Sequence, residues 1–226
     1  DLQIFSSSAN LFNAFKTGAI DIAYFSLDTD QITNLEAEAA RQGWQVIAID
    51  GKTVNYMVLN LNLEPLNNKA VRQALASIID RKLLNERVLQ GKGEPVYSLI
   101  PKEFDGYKPV FKENYGDGNF EKAKELLKEA GYSRNSPAKI EIWYAANSTK
   151  RQLTASTLKA SVEQKLEGLM ELELKSVEAA TAFQNLDKGV YQTFILDWYG
   201  DFIDADNYIQ PFLECTKGSK EKGCEE

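Results

Sequence analysis

Histidine does not occur anywhere in these 226 residues. Its absence removes the commonest general base near neutral pH and the commonest transition-metal ligand, so most hydrolase and metalloenzyme chemistries lack an obvious carrier. Excess basic charge is missing as well: 26 Lys and Arg stand against 33 Asp and Glu, for a net charge of −7 and an isoelectric point near 4.9. Affinity for a phosphate backbone comes mainly from clustered Lys and Arg, which excludes nucleic acid as a partner. No apolar run approaches the roughly 20 residues that cross a bilayer, and no signal peptide opens the chain. The opening Asp1-Leu-Gln-Ile-Phe5 reads as the middle of a domain, so we expect a segment of a longer protein, and the missing targeting sequence then says little about location.

Cysteine is scarce. Only Cys215 and Cys224 occur, in the polar stretch Cys215-Thr-Lys-Gly-Ser-Lys-Glu-Lys-Gly-Cys224, where two glycines let the loop close. A disulfide there would stabilise by roughly 2–3 kcal/mol through loop closure and would imply an oxidising compartment. Free surface thiols in a cytosolic protein are the alternative, and a metal pair lacks its two further ligands.

What is present is enough apolar sequence, 43% of the chain, for one large domain or two small ones. Short strands and helices alternate at the start: strands over 2–5, 20–25 and 45–49, helices over 10–16 and 29–42. Residues 53–63 read as a long strand, apolar on both faces and therefore central in its sheet. Val71, Ala74, Leu75, Ile78 and Ile79 share one side of a helix, and a short helix follows over 82–89. Residues 94–118 read as a long loop carrying Pro95, Pro101 and Pro109. Asn119 caps a helix that Gly131 ends, with Phe120, Ala123 and Leu127 on its apolar stripe. From residue 139 the pattern is strand, helix opened by Ser148, strand 170–175, helix 179–186 and strand 191–197. That alternation is the mark of βαβ units with mainly parallel pairing, an α/β fold.

The last strand ends abruptly in Asp197-Trp198-Tyr199-Gly200-Asp201. Ligands of open α/β sheets collect at such carboxyl ends. Trp198 and Tyr199 offer amphipathic surface, Gly200 marks a backbone turn, and Asp201 offers a carboxylate to an ammonium group. Alternatively the aromatics are core and the aspartate caps the next helix. Asp197, Asp201, Asp204 and Asp206 also admit a calcium-loop reading, but the glycine and terminal glutamate of an EF-hand are missing.

Several stretches, in order, resemble the family 5 extracellular solute-binding proteins, the peptide- and nickel-binding receptors of ABC importers. They are Leu11-Phe-Asn-Ala-Phe-Lys-Thr-Gly-Ala-Ile-Asp-Ile-Ala23, Asn60-Leu-Asn-Leu-Glu-Pro65 with Val71-Arg-Gln-Ala-Leu75 and Ile79-Asp-Arg81, Gly91-Lys-Gly-Glu-Pro95, Ala123-Lys-Glu-Leu-Leu-Lys-Glu-Ala-Gly-Tyr132 and Trp198-Tyr-Gly-Asp-Phe-Ile-Asp204. Leu66, Asn68 and Ala205 depart from the family pattern. The resemblance implies a type II periplasmic-binding-protein-like lobe with a mixed, mainly parallel sheet flanked by helices. Residues 1–51 would end a first lobe and supply a hinge strand, and 52–226 would form most of a second, truncated at its C-terminus. It further implies a receptor outside the cytoplasmic membrane, lipid-anchored or free, that binds a peptide or other small solute and delivers it to permease subunits. No cofactor and no catalysis are expected.

By the same resemblance Asp201 would pair with a peptide's amine, and the backbone of Trp198 to Gly200 would extend it by strand-like pairing. Asn147 and Lys150, at a strand-to-helix turn, would face its carboxylate, with a solvated lysine as the plainer alternative. Ile195 stands where certain members have an arginine. Arg72 would brace its helix against nearby carbonyls. Two other classes compete with transport: a sensing or chaperone-like module, and a hydrolase using Asp197 and Asp201.

Overall fold

The computed structural model describes residues 1–24, 27–47, 52–186 and 188–215, with the backbone alone of the pairs 218–219 and 223–224. Two helices come first. Helix α1 (Ser8–Lys16) is capped by the Ser7 hydroxyl, which accepts from the Asn10 N–H. Helix α2 (Thr29–Gln42) opens with a capping box between Asp28 and Gln31 and ends at Gly43, whose left-handed φ of 72° suits a residue without Cβ. The pair is joined by a Ser8–Asp28 hydrogen bond of 2.7 Å, a Lys16–Glu38 ion pair and contact of the Phe15 and Trp44 rings at 5.2 Å. Only Leu11 and Leu35 are buried in these helices.

The strands expected beside them do not form among the described residues; positions 25, 48 and 49 lie outside that set. Leu2 and Ile4 are each 92% exposed, and Ile22, Tyr24 and Ile47 are also in solvent. Alternating apolar residues make a strand only where another backbone completes the ladder. The described residues offer none there.

The main body follows. Strand β1 (Val54–Leu59) is succeeded by α3 (Lys69–Ile78), α4 (Arg81–Leu89), α5 (Val110–Tyr115) and α6 (Phe120–Glu129). Then come β2 (Ala138–Ala145), α7 (Thr149–Lys165), β3 (Met170–Val177), α8 (Ala179–Leu186), β4 (Thr193–Trp198) and α9 (Asp206–Leu213), and the short pair β5 (Gly218–Ser219) and β6 (Gly223–Cys224). The larger sheet has the order β1-β4-β2-β3. Strand β2 runs parallel to both neighbours, and β1 runs antiparallel to β4 with Val54 opposite Trp198. This is the mixed, mainly parallel α/β sheet that the helix–strand alternation foretells.

Asn68, Asp80, Asn119 and Ser148 each accept a backbone N–H at the start of α3, α4, α6 and α7. Val71, Ala74 and Ile78 of α3, Ala123 and Leu127 of α6, and Ala155, Leu158 and Val162 of α7 then pack on Ile140, Ile142, Leu172 and Ile195 of the sheet. Each such Leu, Ile or Val contributes about 1.5–3 kcal/mol relative to exposure. On the opposite face Ala182 of α8 packs with Tyr191 and Phe194.

Two further expectations need correction. Among the described residues strand β1 ends the sheet order instead of lying between two strands: of its six residues only Val54 is buried, and Met57 and Leu59 pack on the α3–α6–α7 side. The long connection 94–118 contains α5. Helix α9 lies beyond the last expected strand and carries Pro211 inside it. Cys215 is not a free thiol. The side chain of Cys224 lies outside the described residues; the backbone pairs Gly218 with Cys224.

Arg72 does brace its helix: Nη1 donates to the carbonyls of Leu66 at 2.7 Å and Asn67 at 3.1 Å. A second arginine ties down the long connection. Asp117 accepts from the Arg81 backbone N–H at 3.0 Å, from its Nη1 at 3.3 Å and from the Tyr97 hydroxyl at 3.1 Å. Arg81 Nε donates to the Val96 carbonyl, and the guanidinium lies 4.8 Å from the Tyr97 ring centre. Burial first, and the Asp117 charge second, push the Tyr97 hydroxyl pKa up. Replacing Asp117 by alanine leaves three donors and a poorly solvated cation without their acceptor. The expected cost is about 2–3 kcal/mol, read from the urea unfolding midpoint at constant slope.

Candidate functional site at the carboxyl edge of the sheet

Because β2, β3 and β4 are parallel, all three deliver their carboxyl ends to one edge. The turn 146–148 follows β2 there, and the loop 199–205 follows β4. Antiparallel β1 brings its beginning to the same edge, where the Tyr208 hydroxyl donates to the Lys52 carbonyl at 2.8 Å. Crevices outside the carboxyl ends of such strands are where α/β sheets bind ligands.

The loop after β4 is held from below. Trp198 Nε1 donates to Asn207 Oδ1 at 3.0 Å, and its ring stands edge-on to Phe212 at 5.3 Å, which in turn meets Tyr56 at 5.1 Å. Trp198 is therefore a pin between strand and α9 at least as much as a ligand surface. Gly200 passes so close to Tyr208 that a Cβ there would lie 2.7 Å from the hydroxyl and 3.0 Å from the ring carbon bearing it. Burial raises the Tyr208 pKa, opposed by a hydrogen bond with the Gly200 backbone.

On this platform Tyr199, Asp201, Phe202 and Ile203 face solvent. Asp201 does not cap the next helix. Asp204 lies nearest that role, its Oδ1 accepting from the Asp206 N–H at 2.9 Å. With Asp204 so engaged and Asp197 turned to an arginine, two of the four aspartates of the calcium-loop reading are in other hands.

Across the edge, Asn147 is exposed and Lys150 is half-buried at the second position of α7. Next to Lys150 stands a residue whose role the sequence reading missed. Arg151 Nη2 forms an ion pair with Asp197 Oδ1, with side chains 18% and 25% exposed. A cation in the first turn of a helix opposes the macrodipole and favours an anionic partner, a signal in the sequence that Arg151 shares with Lys150. Arg151 Nε is buried with no acceptor. The half-buried Tyr56 hydroxyl feels the same pair: burial and the Asp197 charge raise its pKa, and Arg151 lowers it. Among the described residues no group of three or more His, Cys, Asp or Glu could hold a metal ion, and no helix is long and apolar enough to cross a membrane.

Fold and edge together define an α/β protein with a mixed, mainly parallel sheet flanked by helices and open at its carboxyl edge. The model of the bacterial extracellular solute-binding proteins, family 5, matches residues 1–220, and the chain belongs to that family. It is 26% identical over 216 residues to the periplasmic oligopeptide-binding protein OppA of Haemophilus influenzae, covering 92% of this chain and 38% of that one. It is 28% identical over 180 residues to the dipeptide-binding protein of Escherichia coli, covering 76% of this chain and 31% of the relative. The crystal structure of H. influenzae OppA in complex with RPPGFSPFR superimposes with a TM-score of 0.80 at 22% identity, over 92% of this chain and 41% of that one. The chain thus spans well under half the length of the relatives it matches.

The close approach at Gly200 has a measurable consequence. Tyr208 is 2% exposed and cannot swing away without releasing the Lys52 carbonyl. Gly200→Ala is expected to destabilise by about 1–3 kcal/mol through overpacking. The loss should show in thermal unfolding, with quenching of Trp198 fluorescence by acrylamide increasing as the loop loosens.

Proposed function

We propose that this chain is the ligand-anchoring part of an extracytoplasmic solute-binding receptor. It captures a peptide, or a solute with a similar cationic end, between two lobes and hands it to the permease of an ABC importer. Asp201 carries the reading. It is an exposed carboxylate on a loop that Trp198 and Tyr208 hold firmly, and among the described residues no cationic side chain pairs with it.

A carboxylate placed so makes a charge-assisted hydrogen bond to an ammonium group, strongest when a closing lobe excludes water. Tyr199 and the backbone through Gly200 then run alongside the ligand as a strand would. Asn147 and Lys150 sit across the edge as polar rim contacts, an ion pair of Lys150 with a ligand carboxylate adding about 0–1 kcal/mol in solvent. The names of the relatives support the peptide reading and a location outside the cytoplasmic membrane. So does the superposition on an OppA structure with RPPGFSPFR. Residues 1–51 would belong to the first lobe and 52–226 to the second, with closure by rotation about the junction. A Cys215–Cys224 disulfide fits an oxidising location.

Binding without catalysis fits the chemistry of the edge. Asp197, the other acid of a hydrolase pair, is neutralised by Arg151, and no histidine exists to serve as base.

The test is calorimetry on the full-length protein with neutral peptides bearing either a free or an acetylated amino terminus. Asp201→Asn should weaken binding of the free-amine peptide about tenfold or more, equivalent to about 1.4 kcal/mol, and leave the acetylated peptide unchanged. Equal affinity of variant and parent for the free-amine peptide would remove Asp201 from the site.

A further inference from the structure

Building on the reading of this edge as a ligand site, we propose that Asp197 is a selectivity residue. By neutralising Arg151 it prevents the edge from choosing ligands by a terminal carboxylate, and so fits the site to solutes recognised at their cationic end.

Arg151 has what an anion receptor needs. A guanidinium is a planar fork that matches a carboxylate, and Arg151 stands in the first turn of the seventeen-residue α7, where backbone N–H groups and the helix dipole also favour negative charge. Parallel β2 and β4 bring that helix start to the edge that carries Asp201. Left alone, this corner would bind the carboxylate of a peptide or of any small acid.

It is not left alone. Asp197 reaches across from β4 and occupies the guanidinium, with both side chains mostly buried. The pairing is one-pronged: Asp197 engages Nη2, while the buried Nε has no acceptor. A pair built for strength would use the fork. This one cancels charge without saturating the donor. Strand geometry explains why Asp197 and not Asp201 does so. Asp197 shares its face of β4 with Ile195, which packs in the α3–α6–α7 core, and so points to α7.

The experiment uses the full-length protein and alanine tri- and pentapeptides, each as the free acid and as the C-terminal amide, with the amino terminus free. The parent protein should bind acid and amide within about fivefold, the most that a lysine open to solvent such as half-buried Lys150 supplies. Asp197→Asn keeps the side-chain shape and frees the guanidinium charge, and should favour the acid by about tenfold or more at one or both lengths. Adding Arg151→Gln to Asp197→Asn should abolish that preference. A role confined to stability would lower the melting temperature of the variants without separating acid from amide. A parent that already prefers the acid tenfold, or an Asp197→Asn protein that folds and still does not discriminate, overturns the proposal. The double variant, with no buried charge left at the corner, shows whether the fold survives. If it folds and Asp197→Asn does not, Arg151 and Asp197 pair for stability alone and the proposal falls. Binding of none of the peptides by the parent overturns the peptide reading itself, and the selectivity role with it.

Discussion

Strand β2 is parallel to both of its neighbours, and the rest of the molecule follows from that alignment. A parallel pair cannot be joined by a tight turn, so a helix must carry the chain back between strands, and α7 and α8 do so. The helices cover the sheet faces, the strand ends stay open, and every loop that leaves a parallel strand emerges at one edge. Antiparallel β1 contributes its beginning there, which is how the Lys52 carbonyl comes to accept from Tyr208, far away in sequence. Functional groups need only sit just past the strands to be gathered.

Gathering is not enough, because a loop that orders on binding costs about 1–2 kcal/mol per residue fixed. Here much of that ordering is present beforehand. The Trp198–Asn207 hydrogen bond, the chain of ring contacts from Trp198 through Phe212 to Tyr56, and the seat of Gly200 on Tyr208 fix the loop from both ends. Solvent-facing Tyr199, Asp201, Phe202 and Ile203 ride on it. Trp198, Phe212 and Tyr208 therefore do structural work, and the Asp201 carboxylate is left in solvent on the loop they hold.

What could be read in the sequence was what is local. Helices α3, α6 and α7 announce themselves through Asn68, Asn119 and Ser148 at their starts and apolar residues at helical spacing, and β2 through the alternation of Ile140, Ile142 and Tyr144. The family emerged from the order of short stretches, each of them weak alone. Misreadings arose where the partner is distant or absent. Apolar residues on both sides of β1 suggested a central strand, yet position in a sheet depends on which strands pair, and among the described residues β1 pairs only with β4. Strands were expected over 2–5, 20–25 and 45–49, but no ladder completes them among the described residues. The Arg151–Asp197 pair joins residues 46 apart in the chain.

Asp197 and Asp201 are four residues apart and have opposite fates, and the difference is one of direction rather than chemistry. Asp197 is still within β4, where the pleat assigns each side chain a face, and its face looks onto α7 and a cation. Asp201 lies beyond the strand and beyond Gly200, where the backbone has left the ladder and no face is imposed. In a chain of net charge −7 an uncompensated carboxylate adds to self-repulsion, and among the described residues no cationic side chain forms an ion pair with Asp201. The fold neutralises the acid that its own sheet can reach and leaves the next in solvent. The proposed recognition of positive charge rests on that division.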